Sequence, residues 1–132
     1  QALCDAVVAF GRLRFESPGF FEMLAQAFVG QLPQTSPRHL ATTLHGFAKQ
    51  GLHEGPLYAA VAPEIVRSLL GYRPRDLALC LWSFAKAAYV DRTLFEKAQD
   101  DLKLHVVRLT PADVSMVLWS FGKADWRVDD AL

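Results

Sequence analysis

Pro74–Lys86 reads PRDLALCLWSFAK, and the same string recurs in altered form as Pro37–Lys49, PRHLATTLHGFAK, and as Pro111–Lys123, PADVSMVLWSFGK. The step between copies is 37 residues both times. Proline, leucine, phenylalanine and lysine hold their places at Pro37/Pro74/Pro111, Leu44/Leu81/Leu118, Phe47/Phe84/Phe121 and Lys49/Lys86/Lys123. A unit this short cannot bury its own apolar face. It must stack on copies of itself, which builds extended surfaces rather than an enclosed pocket.

One step back from the first full copy, Leu3, Val7, Phe10, Gly11 and Arg12 fall where Leu40, Leu44, Phe47, Ala48 and Lys49 lie, so the register runs four times. Between the motifs a second apolar series repeats in the same register: Phe20/Leu57/Leu94, Phe21/Tyr58/Phe95, Leu24/Val61/Ala98, Phe28/Ile65/Leu102 and Leu32/Leu69/Val106. Its steps of three and four are helical. Each unit is therefore read as a helical hairpin, helix A carrying the motif and helix B the second series. The fold class expected is all-α, an α-solenoid of stacked hairpins. The chain divides into a partial repeat (1–36), full repeats 37–73 and 74–110, and a partial repeat (111–132), all in one domain. About seven helices follow: half an A helix, three alternations of B and A, and a cut-off B.

Local signals set the boundaries. Helix A opens at proline, whose fixed φ and missing amide suit the first helical position, and Ser36 or Thr110 can cap the free amides. Arg73 holds that place in the middle copy and cannot act in the same way, while Thr110 with Asp113 forms a capping box in which aspartate replaces glutamate. The A-to-B turn is expected near Gly51, Ala88 and Asp125, and Gly30 and Gly71 are read as the exits of helix B. Phe15, Leu52, Tyr89 and Trp126 are placed to plug the hairpin ends. On a helical wheel Leu40, Leu44 and Phe47 face the core between small Ala41 and Ala48, and Arg38, Thr42 and Lys49 point away. The array stops inside a repeat at each end. The faces Leu3/Val7/Phe10 and Leu118/Phe121 are thus expected to be covered by a longer chain or by partners, and to drive self-association if bare.

Bulk composition excludes several classes. With 14 basic and 14 acidic residues the formal net charge is zero, so no global field marks the chain for nucleic acid or membrane, and such a partner needs a local patch. No apolar stretch is long enough to span a bilayer. Cys4 and Cys80 have neither metal nor redox spacing, and His39, His45, His53 and His105 converge on no ligand pattern, so no metal site is expected. Glu96, Asp100 and Asp101 are read as a solvated face of one B helix. There is no phosphate loop, nucleophile elbow or paired catalytic acid, and no enzyme, catalytic residue or cofactor is expected.

The candidates that remain are charged or aromatic. Arg12, Lys49, Lys86 and Lys123 place one cation per repeat along one edge, where they can track a phosphate backbone or simply offset exposed helix carbonyls. Arg38 and Arg75 sit at the second helical position, where the helix dipole disfavours a cation; a ligand or salt bridges to acids such as Asp76 or Glu64 would explain them. Trp82 and Trp119, with His45 and Val8 in register, are read as packing between hairpins, with base stacking the alternative.

The string Leu81, Trp82, Ser83, Phe84, Ala85, Lys86 with its upstream leucine and alanine resembles the signature of the octatricopeptide repeat proteins, and the 37-residue length resembles the heptatricopeptide repeat proteins more closely. These are organellar RNA-binding solenoids, often followed by a RAP domain. The resemblance implies a non-catalytic RNA scaffold in the mitochondrion, or alternatively the plastid, and in particular a mitochondrial ribosome component contacting ribosomal RNA beside neighbouring proteins. Thr42 and Thr43 are the one polar pair at the positions before the motif leucine that could hydrogen-bond base edges. The rival reading is a protein-binding scaffold of tetratricopeptide or HEAT type.

Overall fold

The computed structural model describes residues 18–51 and 55–127. Among the described residues six α-helices of 13 residues follow one another: α1 (Pro18–Gly30), α2 (Pro37–Lys49), α3 (Gly55–Arg67), α4 (Pro74–Lys86), α5 (Arg92–Leu104) and α6 (Pro111–Lys123). The described residues contain no strand, and none of their helices is long and apolar enough to cross a membrane. Helices α1, α3 and α5 are the B helices and α2, α4 and α6 the A helices, each A helix 37 residues after the last. The all-α helical-repeat fold read from the register is the fold observed. The expected half helix before residue 13 and the cut-off B helix at the end lie outside the described residues.

The ends of the helices follow from side-chain chemistry. Ser36 accepts a hydrogen bond from the His39 amide at 3.3 Å, and Asp91 accepts one from the Leu94 amide at 2.9 Å. At α6 the box is complete: the Asp113 amide donates to Thr110 Oγ1 and the Thr110 amide donates to Asp113 Oδ2, both at 3.1 Å. Arg73 has no acceptor to offer, so only the return half survives at α4, where the Arg73 amide donates to Asp76 Oδ2 at 3.3 Å. The A helices end in left-handed residues, Gly51 (φ 80°), Ala88 (φ 59°) and Asp125 (φ 52°). Tyr89 N–H reaches Phe84 O at 3.0 Å and Trp126 N–H reaches Phe121 O at 2.9 Å, so two of these ends are Schellman motifs. The Tyr89 ring lies 6.0 Å from Phe84, the apolar contact that accompanies this motif. Gly30 and Gly71 do not mark one common exit: Gly30 ends α1, whereas Gly71 ends the short 3₁₀ turn (Leu69–Gly71) after α3. The shared exit is that turn, which recurs as Leu32–Gln34 and Val106–Arg108.

Packing runs in two rows. Neighbouring A helices lie against each other closely along α2, α4 and α6, and neighbouring B helices touch more sparingly. Ala41, Ala48, Ala78 and Ala85 are fully buried, and their small side chains permit the close approach. Each motif phenylalanine rests on a ring of the B helix before it: Phe47 on Phe28 at 6.0 Å, Phe84 on Tyr58 at 5.1 Å, Phe121 on Phe95 at 6.2 Å. Phe121 is therefore buried like Phe47 and Phe84, as its place in the register requires. Leu118 and Val114 do stay open, 64% and 39% exposed, although their register mates Leu81, Leu77, Leu44 and Leu40 are buried.

Phe84→Ala should lower the unfolding free energy by about 3–5 kcal/mol, the range for emptying an aromatic core site, as read by chemical denaturation. Ala88→Gly should raise it by about 0.5–1 kcal/mol, because relief of the left-handed strain outweighs the added freedom of the unfolded chain.

Candidate nucleic-acid interface

At 100° per residue, positions i, i+4, i+7 and i+11 share one strip of a helix. On α4 these are Arg75, Leu79, Trp82 and Lys86; on α2 they are Arg38, Thr42, His45 and Lys49; on α6, Ala112, Met116, Trp119 and Lys123. Burial follows the strip: the first and last positions are exposed in all three helices, and of the inner ones only Trp119 is exposed, the others being half-buried. Stacking the A helices then lines the positions up into rows, an aromatic row between two cationic ones. Five cations, Arg38, Lys49, Arg75, Lys86 and Lys123, share this surface, and no acid occupies any strip position.

The nearest carboxylates are buried beside the strip and already engaged. Arg75 Nη1 stands 3.7 Å from Asp113 Oδ1, in the next repeat, an oxygen that makes no hydrogen bond. The partners expected for Arg75 are thus corrected: Asp76 is held by the Arg73 guanidinium at 3.2 and 3.3 Å, and Glu64 pairs with Arg67. Arg38 would meet Asp76 by the same register, but Arg73 has taken it. Among the described residues Arg38, Lys49, Lys86 and Lys123 have no carboxylate within 4.0 Å. Each lysine is the last residue of its helix, so the row also faces the helix carbonyls. Arg12 lies outside the described residues.

Two expectations fail on burial. Thr43 is 2% exposed, because it lies 100° round from Thr42 on the side that meets the core, in register with buried Cys80 and Val117. Thr42 is half-buried and its Oγ1 donates to Arg38 O at 2.9 Å, a helix carbonyl. The pair therefore does not act together: Thr43 belongs to the core, and Thr42 keeps only the acceptor side of its hydroxyl for a ligand. Asp101 is buried, not solvated, with Oδ2 3.6 Å from His105 Nδ1; it lies about one helical turn from core Ala98, on the same side of the helix. Glu96 and Asp100 are exposed as expected.

The ring row is a packed stack. His45 lies 4.8 Å from Trp82 at 56°, and Trp82 lies 5.6 Å from Trp119 at 28°. Packing between hairpins is borne out; Val8 lies outside the described residues. Tyr89 packs on Tyr58 and Trp126 on Phe95, closing hairpin ends as expected, and the Trp126 indole donates to Gln99 at 2.9 Å. Burial, then Lys49 and Arg75, hold His45 below its ordinary value. Burial pushes the Cys80 thiol up, which makes it a core group rather than a nucleophile. Among the described residues no three His, Cys, Asp or Glu side chains gather as a metal site would require.

With its folded-state value depressed, His45 binds fewer protons in the folded chain than in the unfolded one just below the ordinary value of 6.5. Its contribution therefore stabilises the fold above that pH and is lost as pH falls. His45→Phe, which keeps a ring on Trp82 but cannot be protonated, should show a smaller drop in melting temperature than the native protein between about pH 7.5 and 5.

A family model described as RNA-editing substrate-binding complex 6 protein matches residues 2–130, and the chain belongs to that family. Comparison with curated proteins finds no match.

Proposed function

We propose that this chain is a non-catalytic RNA-binding scaffold of an RNA-editing substrate-binding complex, and that the free face of its A helices holds the RNA backbone. The observation that carries this is the segregation of charge. A chain of zero net charge sets Arg38, Lys49, Arg75, Lys86 and Lys123 on one surface with no acid among them. Attraction of that kind follows phosphates and is indifferent to base identity. The family name supports an editing complex over the ribosome that the repeat resemblance suggested. The mitochondrial compartment and the kinship with the heptatricopeptide and octatricopeptide repeats belong to the same proposal and rest on the motif.

The rival reading is a protein-binding scaffold, in which the same A-helix face receives neighbouring proteins of the complex instead of RNA.

The test is electrostatic. If each cation of the face neutralises one phosphate, Lys49→Gln with Lys86→Gln should reduce the magnitude of the log-log salt slope of RNA binding by about 1.4, at about 0.7 per contact. Different RNA sequences should be weakened almost equally. Titration at several salt concentrations reads the slope. A slope and affinity equal to the native protein's would show that these lysines serve only their helix ends, and would leave the protein-scaffold role standing.

A further inference from the structure

An aspartate stands at the third position of both α4 and α6, Asp76 and Asp113, each 3% exposed. In each helix one oxygen, Oδ2, accepts the amide at the helix start, from Arg73 at 3.3 Å and from Thr110 at 3.1 Å. A carboxylate buried with that contact alone still wants a cation. The two helices find it in different places. Asp113 has Arg75 of the preceding repeat, whose Nη1 stands 3.7 Å from Oδ1, an oxygen with no hydrogen bond. Asp76 has Arg73 of its own helix start, which donates from Nε to Oδ2 at 3.2 Å and from Nη2 to Oδ1 at 3.3 Å. Arg38 stands 37 residues before Arg75, and Asp76 stands 37 residues before Asp113, so the register offers Asp76 two arginines.

The residue just before the helix proline decides between them. Ser36 and Thr110 are uncharged there and accept from the amide three residues on, whereas Arg73 brings a guanidinium to the acid of its own helix. Two arginines for one carboxylate leave a cation over, and it is Arg38. Among the described residues no carboxylate lies within 4.0 Å of it, and the helix dipole at the second position disfavours it. Arg75 is not free in the same way, because its departure would strand Asp113 Oδ1 in the interior with no partner. We propose that Arg73 is a positioning residue: by holding Asp76 it releases Arg38, and so makes Arg38 rather than Arg75 the arginine of the A-helix face that takes an RNA phosphate. This inference rests on the RNA reading of that face and adds which arginine makes the contact and what sets it free.

The test titrates an unstructured uridine-rich RNA at several salt concentrations against the native protein and variants of these arginines. Arg38→Gln should reduce the magnitude of the log-log salt slope by about 0.7, the worth of one phosphate contact, and Arg75→Gln should leave it unchanged. Arg73→Ser gives α4 the cap that Ser36 gives α2 and releases Asp76 to Arg38; the slope should fall by the same about 0.7 although Arg38 is still present. Adding Arg38→Gln to Arg73→Ser should lower it no further. Arg73→Lys, which keeps a cation for Asp76, should keep the native slope. Without RNA, Arg38→Gln should leave the melting temperature of the native protein unchanged and lower that of Arg73→Ser, since only there has Arg38 a carboxylate to lose. Equal melting shifts in the two backgrounds would overturn the exchange of partners, whatever RNA does. Additive slope losses from Arg73→Ser and Arg38→Gln would make Arg73 a phosphate contact itself and overturn its positioning role. An unchanged slope in Arg38→Gln would overturn Arg38 as the contact, while the slope change in the double lysine variant still upheld the cationic face. Absence of RNA binding by the native protein would overturn both readings.

Discussion

The close contact of one A helix with the next is the constraint on which everything else depends. Ala41, Ala48, Ala78 and Ala85 of these helices are buried, and side chains as small as these let helices approach closely. Closeness converts a periodicity in sequence into rows in space. It brings the rings of His45, Trp82 and Trp119 within stacking distance and lets Arg75 of one repeat reach Asp113 of the next. The motif phenylalanines fix the other direction, each seated on a ring of the preceding B helix, so every hairpin is locked to its neighbour by the residue that defines the motif.

Charge is sorted by the same geometry. Zero net charge argues against a nucleic-acid partner when the chain is taken as a bag of residues. The A face reverses that argument, because the acids nearest to it point inward. Asp113 and Asp76 serve the helix starts, accepting backbone amides, and each also holds one arginine. Burial of both carboxylates leaves the surface cationic without any excess of cations in the chain. A second consequence concerns position: the left-handed residues Gly51, Ala88 and Asp125 stop each A helix just after its lysine, so the lysine row falls at one edge of the array.

Much of this was legible in the sequence because it is periodic. The 37-residue register, the A and B helices, the core phenylalanines, the proline starts and the turn positions all follow from residue spacing and local chemistry, which act over a few residues. The candidate site was legible in part. The rows Lys49/Lys86/Lys123 and His45/Trp82/Trp119 follow from the register, and the helical wheel puts Arg38, Thr42 and Lys49 on one free face; the spacing of four, three and four adds the ring to that face.

What the sequence determined by itself, then, is the repeat, its helical hairpins and the identity of the residues in each row. The tertiary structure alone decided which residues were available. Thr43 and Asp101 are polar yet buried, and Arg75 reaches Asp113 of the next repeat rather than Asp76 or Glu64. The physical reason is that exposure and pairing depend on what the neighbouring repeat places opposite a side chain. That neighbour is 37 residues away in sequence, beyond the reach of any local rule, and only a few ångströms away once the helices are stacked.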